Sequence, residues 1–254
     1  MRRFLCLLVG VLLALPACTG SGDADDGPSP SVVPTATTPP DTPSPEPTSS
    51  PTPEPSPRPI PPAWARPIEE DLDPEALADD ALIPPGATLT GRVELPAAGS
   101  TPDQVAVAYA LGEDPFAAEH GVAVWERFAD LPAWSVVYAF VDPPEEGVLG
   151  IRLEAGDLTG DGHADVLTLE DRGGSGACGT WTVVSGTAED TARIFRRQTC
   201  DAEIVIDDGG LRLREAVFEP DDPHCCPSAF RTSRLEWDGE RFVVVSSDET
   251  PAGS

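Results

Sequence analysis

No lysine occurs among the 254 residues, and the 16 positive side chains, all arginine, stand against 44 Asp and Glu for a net charge of −28. A surface this acidic repels polyanions, which argues against nucleic acid as a partner. Histidine is also scarce. His120, His163 and His224 each stand alone in sequence, and the His-Glu-x-x-His pattern of a zinc hydrolase is absent. The Gly-x-Ser-x-Gly elbow of a serine hydrolase is missing too, because Gly173-Gly174-Ser175-Gly176 runs into Ala177 and reads as a turn. No apolar run approaches the roughly 20 residues of a membrane-spanning helix. What the chain has in excess is proline and glycine, 30 and 23 residues, so part of it cannot be packed globule.

Residues 1–18 have the layout of an export signal: Arg2 and Arg3, an apolar run over 4–15 broken only by Gly10, then Pro16-Ala17-Cys18. The polar residues that flank the arginines of a twin-arginine signal are lacking, which favours general secretion. Leu15-Pro16-Ala17-Cys18 resembles the bacterial lipobox, with Pro16 where Ala, Ser or Thr is usual. That resemblance implies that Cys18 receives diacylglycerol, becomes the mature N-terminus and holds the protein on the outer face of the cytoplasmic membrane. Each buried CH₂ of an acyl chain contributes about 0.8 kcal/mol to such anchoring.

Residues 19–62 carry 15 prolines among Ser, Thr and a few acids, a composition that forms neither ladders nor a core. At ~3.1 Å per residue this tether spans up to about 136 Å as polyproline II. Residues 63–254 keep 38 acids against 13 arginines, a net −25, so the domain carries most of the charge.

The domain, placed at residues 63–248 before a disordered tail at 249–254, reads as mainly β. Ten runs rich in β-branched and aromatic residues recur at 122–128, 134–141, 148–154, 164–170, 180–184, 192–197, 203–206, 211–217, 231–237 and 241–246. Turn signals such as Asp161-Gly162 and Asp238-Gly239 separate them. This pattern predicts an antiparallel sandwich, barrel or blade-like meander. Two short helices are expected ahead of it, at 68–81 and at 101–111, where Thr101 can cap and Pro102 takes the first helical position. Trp125, Trp134, Trp181 and Trp237 are expected in the core.

Cys6 leaves with the signal and Cys18 goes to lipid, so Cys178, Cys200, Cys225 and Cys226 remain for two disulfides. A hairpin over 181–197 would bring Cys178 to Cys200, closing a 23-residue loop that stabilises by roughly 3.4 kcal/mol in the chain-entropy model. It would leave Cys225 and Cys226 to a strained vicinal bridge, so the crossed pairings of Cys178 and Cys200 with Cys225 and Cys226 stay open.

One stretch carries ligand chemistry. Asp157, Thr159, Asp161 and Asp165 place oxygens at positions 1, 3, 5 and 9 of a turn, the His163 carbonyl takes position 7, and Gly162 permits the bend. A hard cation that takes six to eight oxygens suits this spacing. Thr168 at position 12 and flanking strands exclude an EF-hand. The loop and the strand that follows resemble the FG-GAP or VCBS-type repeat of integrin-like propeller blades, with Thr159 where Asp or Asn is usual. The resemblance implies structural calcium held by Asp157, Asp161 and Asp165. In composition the whole chain resembles secreted lipoproteins of high-GC actinobacteria.

The sequence thus predicts a lipid-anchored extracytoplasmic lipoprotein with a binding or structural role toward a protein or the cell wall, and no catalytic residues. The competing expectation is a cell-envelope hydrolase of glycan or peptide with an unrecognised carboxylate pair.

Overall fold

Strand formation dominates after residue 87. The computed structural model describes residues 62–253 apart from 115, 129–130, 175, 177, 187–190 and 224. The predicted signal, Cys18 and all but the last residue of the predicted tether lie outside the described residues, as do Ser175, Ala177 and His224.

Among the described residues, twelve antiparallel strands pair in chain order into three four-stranded meanders. The first contains β1 (Thr88–Leu95), β2 (Gln104–Leu111), β3 (Glu119–Arg127) and β4 (Trp134–Asp142). The second contains β5 (Gly150–Gly156), β6 (Asp165–Asp171), β7 (Gly179–Gly186) and β8 (Thr191–Thr199). The third contains β9 (Ala202–Asp207), β10 (Gly210–Val217), β11 (Ala229–Trp237) and β12 (Phe242–Pro251). Over the described residues the fold is therefore mainly β and blade-like, with no barrel closure. The ten expected strands correspond to β3–β12, and β12 runs on to Pro251.

The two expected helices are not formed. Residues 68–81 hold only two 3₁₀ turns, Pro74–Ala76 and Asp79–Ala81, and Ile68 bridges to Trp134. Residues 104–111 are strand β2, paired with β1 on one side and β3 on the other. The physical reason is burial of both faces. Val105, Val107 and Tyr109 pack with Trp125, Trp134 and the 77–83 segment, whereas Ala106 and Ala108 face the second sheet.

Side-chain alternation makes the second sheet the middle layer. Val166 of β6 and Val184 of β7 pack with Leu95, Ala106, Val124 and Tyr138 of the first sheet. Leu167, Leu169, Trp181 and Val183 point the other way, into a core shared with Ile204, Leu211, Leu213 and Leu235 of the third. Three tryptophans anchor these layers with satisfied indoles: Trp125 Nε1–H donates to Leu82 O (3.0 Å), Trp134 to Leu72 O (3.1 Å) and Trp181 to Thr199 Oγ1 (3.0 Å). Trp237 departs from the expectation. It is half-buried near the domain surface, 5.4 Å from the Phe242 ring.

Candidate functional site

The β5–β6 connection and the first residue of β6 hold all five residues predicted for calcium. The Gly156↔Asp165 strand pair closes it, and Gly160 and Gly162 take φ of 77° and 86°, a left-handed backbone that glycine adopts without strain. Carboxylates wind the loop. Asp157 accepts the N–H groups of Gly160 (2.7 Å) and Gly162 (3.0 Å) through its two oxygens, and Asp161 accepts that of His163 (2.8 Å). Asp165 Oδ2 accepts N–H from Leu158 (2.8 Å) and Thr159 (3.0 Å). Leu158, held in this way, is buried in the core between the second and third sheets. Gly156 lies against β9, where an added Cβ would meet Ile206 at 3.0 Å. The loop is thus a clasp at the joint of two sheets.

Among the described residues, no three Asp, Glu, His or Cys side chains are gathered tightly enough to hold a metal ion. The loop nonetheless leaves oxygens without protein partners. Asp165 is 1% exposed, and its Oδ1 and the Thr159 hydroxyl are buried and unpaired. Burial pushes the Asp165 carboxyl up, opposed by the nearby Ser185 hydroxyl and by the hydrogen bonds from the Leu158 and Thr159 N–H groups to Oδ2. An unpaired buried carboxylate oxygen is costly, and a hard cation is one partner that relieves it. In chemistry the donor set fits calcium.

No family model, curated protein or solved structure matches this chain.

Cys178 is bonded to Cys200, beside the Gly179↔Thr199 pair that aligns β7 with β8. The crossed pairings are not formed, and Cys225 and Cys226 are free thiols at the surface. Of the histidines, His163 buries its ring with neither nitrogen paired, and His120 does the same between the first two sheets.

That second histidine belongs to a group of residues that reading the sequence missed. His120 on β3 lies opposite Asp142 on β4. The Asp142 carboxyl is pushed up by burial and Glu146, opposed by Arg172, Arg196 and His120. Across the interface, Glu170 on β6 is 3% exposed, and its carboxyl is pushed up to about 7 by burial and by Asp142, opposed by Arg196, Arg172 and Arg193. Burial lowers His120, opposed by Asp142. Unpaired buried atoms concentrate around this group: both His120 nitrogens, Asp142 Oδ2, Glu170 Oε2 and Arg172 Nε. Only alternation marked these residues in the sequence, because β3, β4, β6 and β8 meet there through the fold.

The domain also carries a surface groove of about 520 Å³ between the β1–β2 and β3–β4 connections. Phe128 and Leu131 line it and are 41% and 61% exposed. Arg127, which also lines it, is ion-paired with Asp71 and lies 3.6 Å from Asp103.

Proposed function

We propose that this chain is a lipid-anchored extracytoplasmic binding module whose β domain is braced by calcium in the β5–β6 loop. The anchor rests on Leu15-Pro16-Ala17-Cys18 and the proline-rich segment behind it. The brace rests on one observation above all, the unpaired Oδ1 of buried Asp165 beside a loop whose backbone is already wound on carboxylates. Asp157, Thr159, Asp161, Asp165 and the His163 carbonyl would hold the ion, which would supply charge neutralisation where the second and third sheets join. The 520 Å³ groove, lined by exposed Phe128 and Leu131 and by the ion-paired Arg127, supports a role in binding a protein or the cell wall. Titration calorimetry of calcium into the mature chain tests the brace. Saturable binding in the extracellular range of roughly 10⁻⁴–10⁻³ M is expected, weakened in Asp161→Asn; absence of binding in both proteins rejects it.

A second reading, a hydrolase of envelope glycan or peptide, is favoured by Glu170 alone, since a carboxyl near 7 beside a second carboxylate is the pattern of a general acid and its partner. Glu170 is sealed between two sheets, which ranks this reading second. Hydrolysis of glycan or peptide substrates by the natural chain and its loss in Glu170→Gln would reverse the ranking.

A further inference from the structure

Cys225 and Cys226 sit in the β10–β11 connection, both exposed, with their sulfurs 2.8 Å apart. Neighbouring residues of an extended chain send their side chains to opposite sides. Here the chain turns instead: the Cys226 N–H donates to Pro223 O (2.9 Å), and both sulfurs come to one place. Asp222 fixes that turn at both ends. Its Oδ2 accepts the N–H groups of Glu219 (2.7 Å) and Ser228 (2.8 Å), and its Oδ1 accepts the Ser228 hydroxyl (2.9 Å). These bonds hold the carboxyl below the usual carboxylate range, so the clamp stays ionised and closed at neutral pH. With Cys178 and Cys200 joined to each other, each of these thiols has the other as its nearest sulfur.

We propose that Cys225 and Cys226 are a thiol–disulfide exchange site, a vicinal dithiol that closes to a disulfide ring at the expense of an external disulfide and reopens with an external thiol. The first thiol loses its proton to solvent and its thiolate attacks one sulfur of the external disulfide. A mixed disulfide forms and one thiolate leaves, taking up a proton. The second cysteine, deprotonated in turn, attacks the mixed disulfide at the first cysteine's sulfur, closing the ring and releasing the second external thiol. Two electrons and two protons pass from the pair to the two thiols released. The hydrogen bond with Cys225 pushes the Cys226 thiol up, and the 2.8 Å between the sulfurs lets either cysteine attack and the other resolve the mixed disulfide. The two bridges then differ in kind. Strand pairing aligns Cys178 with Cys200, whereas no strand pairing depends on the state of Cys225 and Cys226, which lie between β10 and β11.

The test uses the mature full-length chain, equilibrated with glutathione mixtures of graded ratio, quenched with an alkylating agent and read by peptide mass. The peptide bearing both cysteines should lose two hydrogens in one reversible step while Cys178–Cys200 stays closed. The reduced chain should bind phenylarsine oxide, which needs two neighbouring thiols, at one per chain. Cys225→Ser and Cys226→Ser should each abolish that binding, and Cys226→Ser should stop at a glutathione adduct on Cys225. The urea midpoints of both variants should equal that of the natural chain. Independent glutathionylation of the two thiols, arsenical binding that survives either substitution, a ring that never reopens, or a lower midpoint in both variants would each overturn the proposal.

Discussion

Arg172 Nη2 lies 3.8 Å from Oε2 of Glu170, a carboxylate sealed between the first and second sheets. The same guanidinium is 3.4 Å from Glu146 through Nη1, so one arginine is shared by two acids and leaves Glu170 only partly compensated.

The consequence is a stability that falls as pH rises. The Glu170 carboxyl titrates near 7 in the folded chain against 4.5 in a free one. Between those values the folded state holds a proton that the unfolded chain has released. Stability from this group is complete below about pH 4.5 and is lost as pH rises through about 7, by at most roughly 3 kcal/mol. The other groups facing it, Asp142, Arg172, Arg193 and Arg196, belong to neighbouring elements and remain in Glu170→Gln. Urea unfolding of both proteins from about pH 4.5 to 8 checks this. The difference between them should grow with pH in favour of Gln; parallel curves would mean that Glu170 is ionised throughout.

Gly121 on β3 makes room for Tyr109 on β2. A Cβ there would stand 2.4 Å from the Tyr109 ring. Gly121→Ala should therefore cost about 1–3 kcal/mol by overpacking, and in a Tyr109→Val background it should cost clearly less. Equal cost in both backgrounds, measured by denaturant midpoints, would place the strain elsewhere.

The ten later strands were legible because β-branched and aromatic runs are broken by Asp-Gly turns, as at Asp161-Gly162 and Asp238-Gly239. β2 was not. Val105 through Tyr109 are buried on both faces, so no polar residue marks a period of two, and Thr101-Pro102 imitates a helix start. Oxygen-bearing residues at positions 1, 3, 5 and 9 likewise revealed the Asp157–Asp165 loop as one linear motif. The Glu170 group had no such signature, since Asp142, Glu170 and Arg196 are brought together only when the first two sheets pack.

The proposed lipid attachment at Cys18 predicts a mature N-terminus that begins at that residue and carries diacylglycerol. Mass spectrometry of the membrane fraction should find it. Cys18→Ser should leave the signal uncut or release an unacylated chain, and a natural chain recovered unmodified from cytosol would refute export.

The most direct measurement of the proposed brace is the thermal midpoint of the mature chain in excess calcium against chelator, with magnesium as the control. At about 10 mM calcium and the affinity expected of the loop, binding adds roughly 1.4–2.7 kcal/mol and raises the midpoint by about 3–10 °C. Thr159→Asp, which supplies a stronger ligand, should enlarge the rise. A midpoint that is the same in calcium, magnesium and chelator, in both the natural chain and Thr159→Asp, would contradict it.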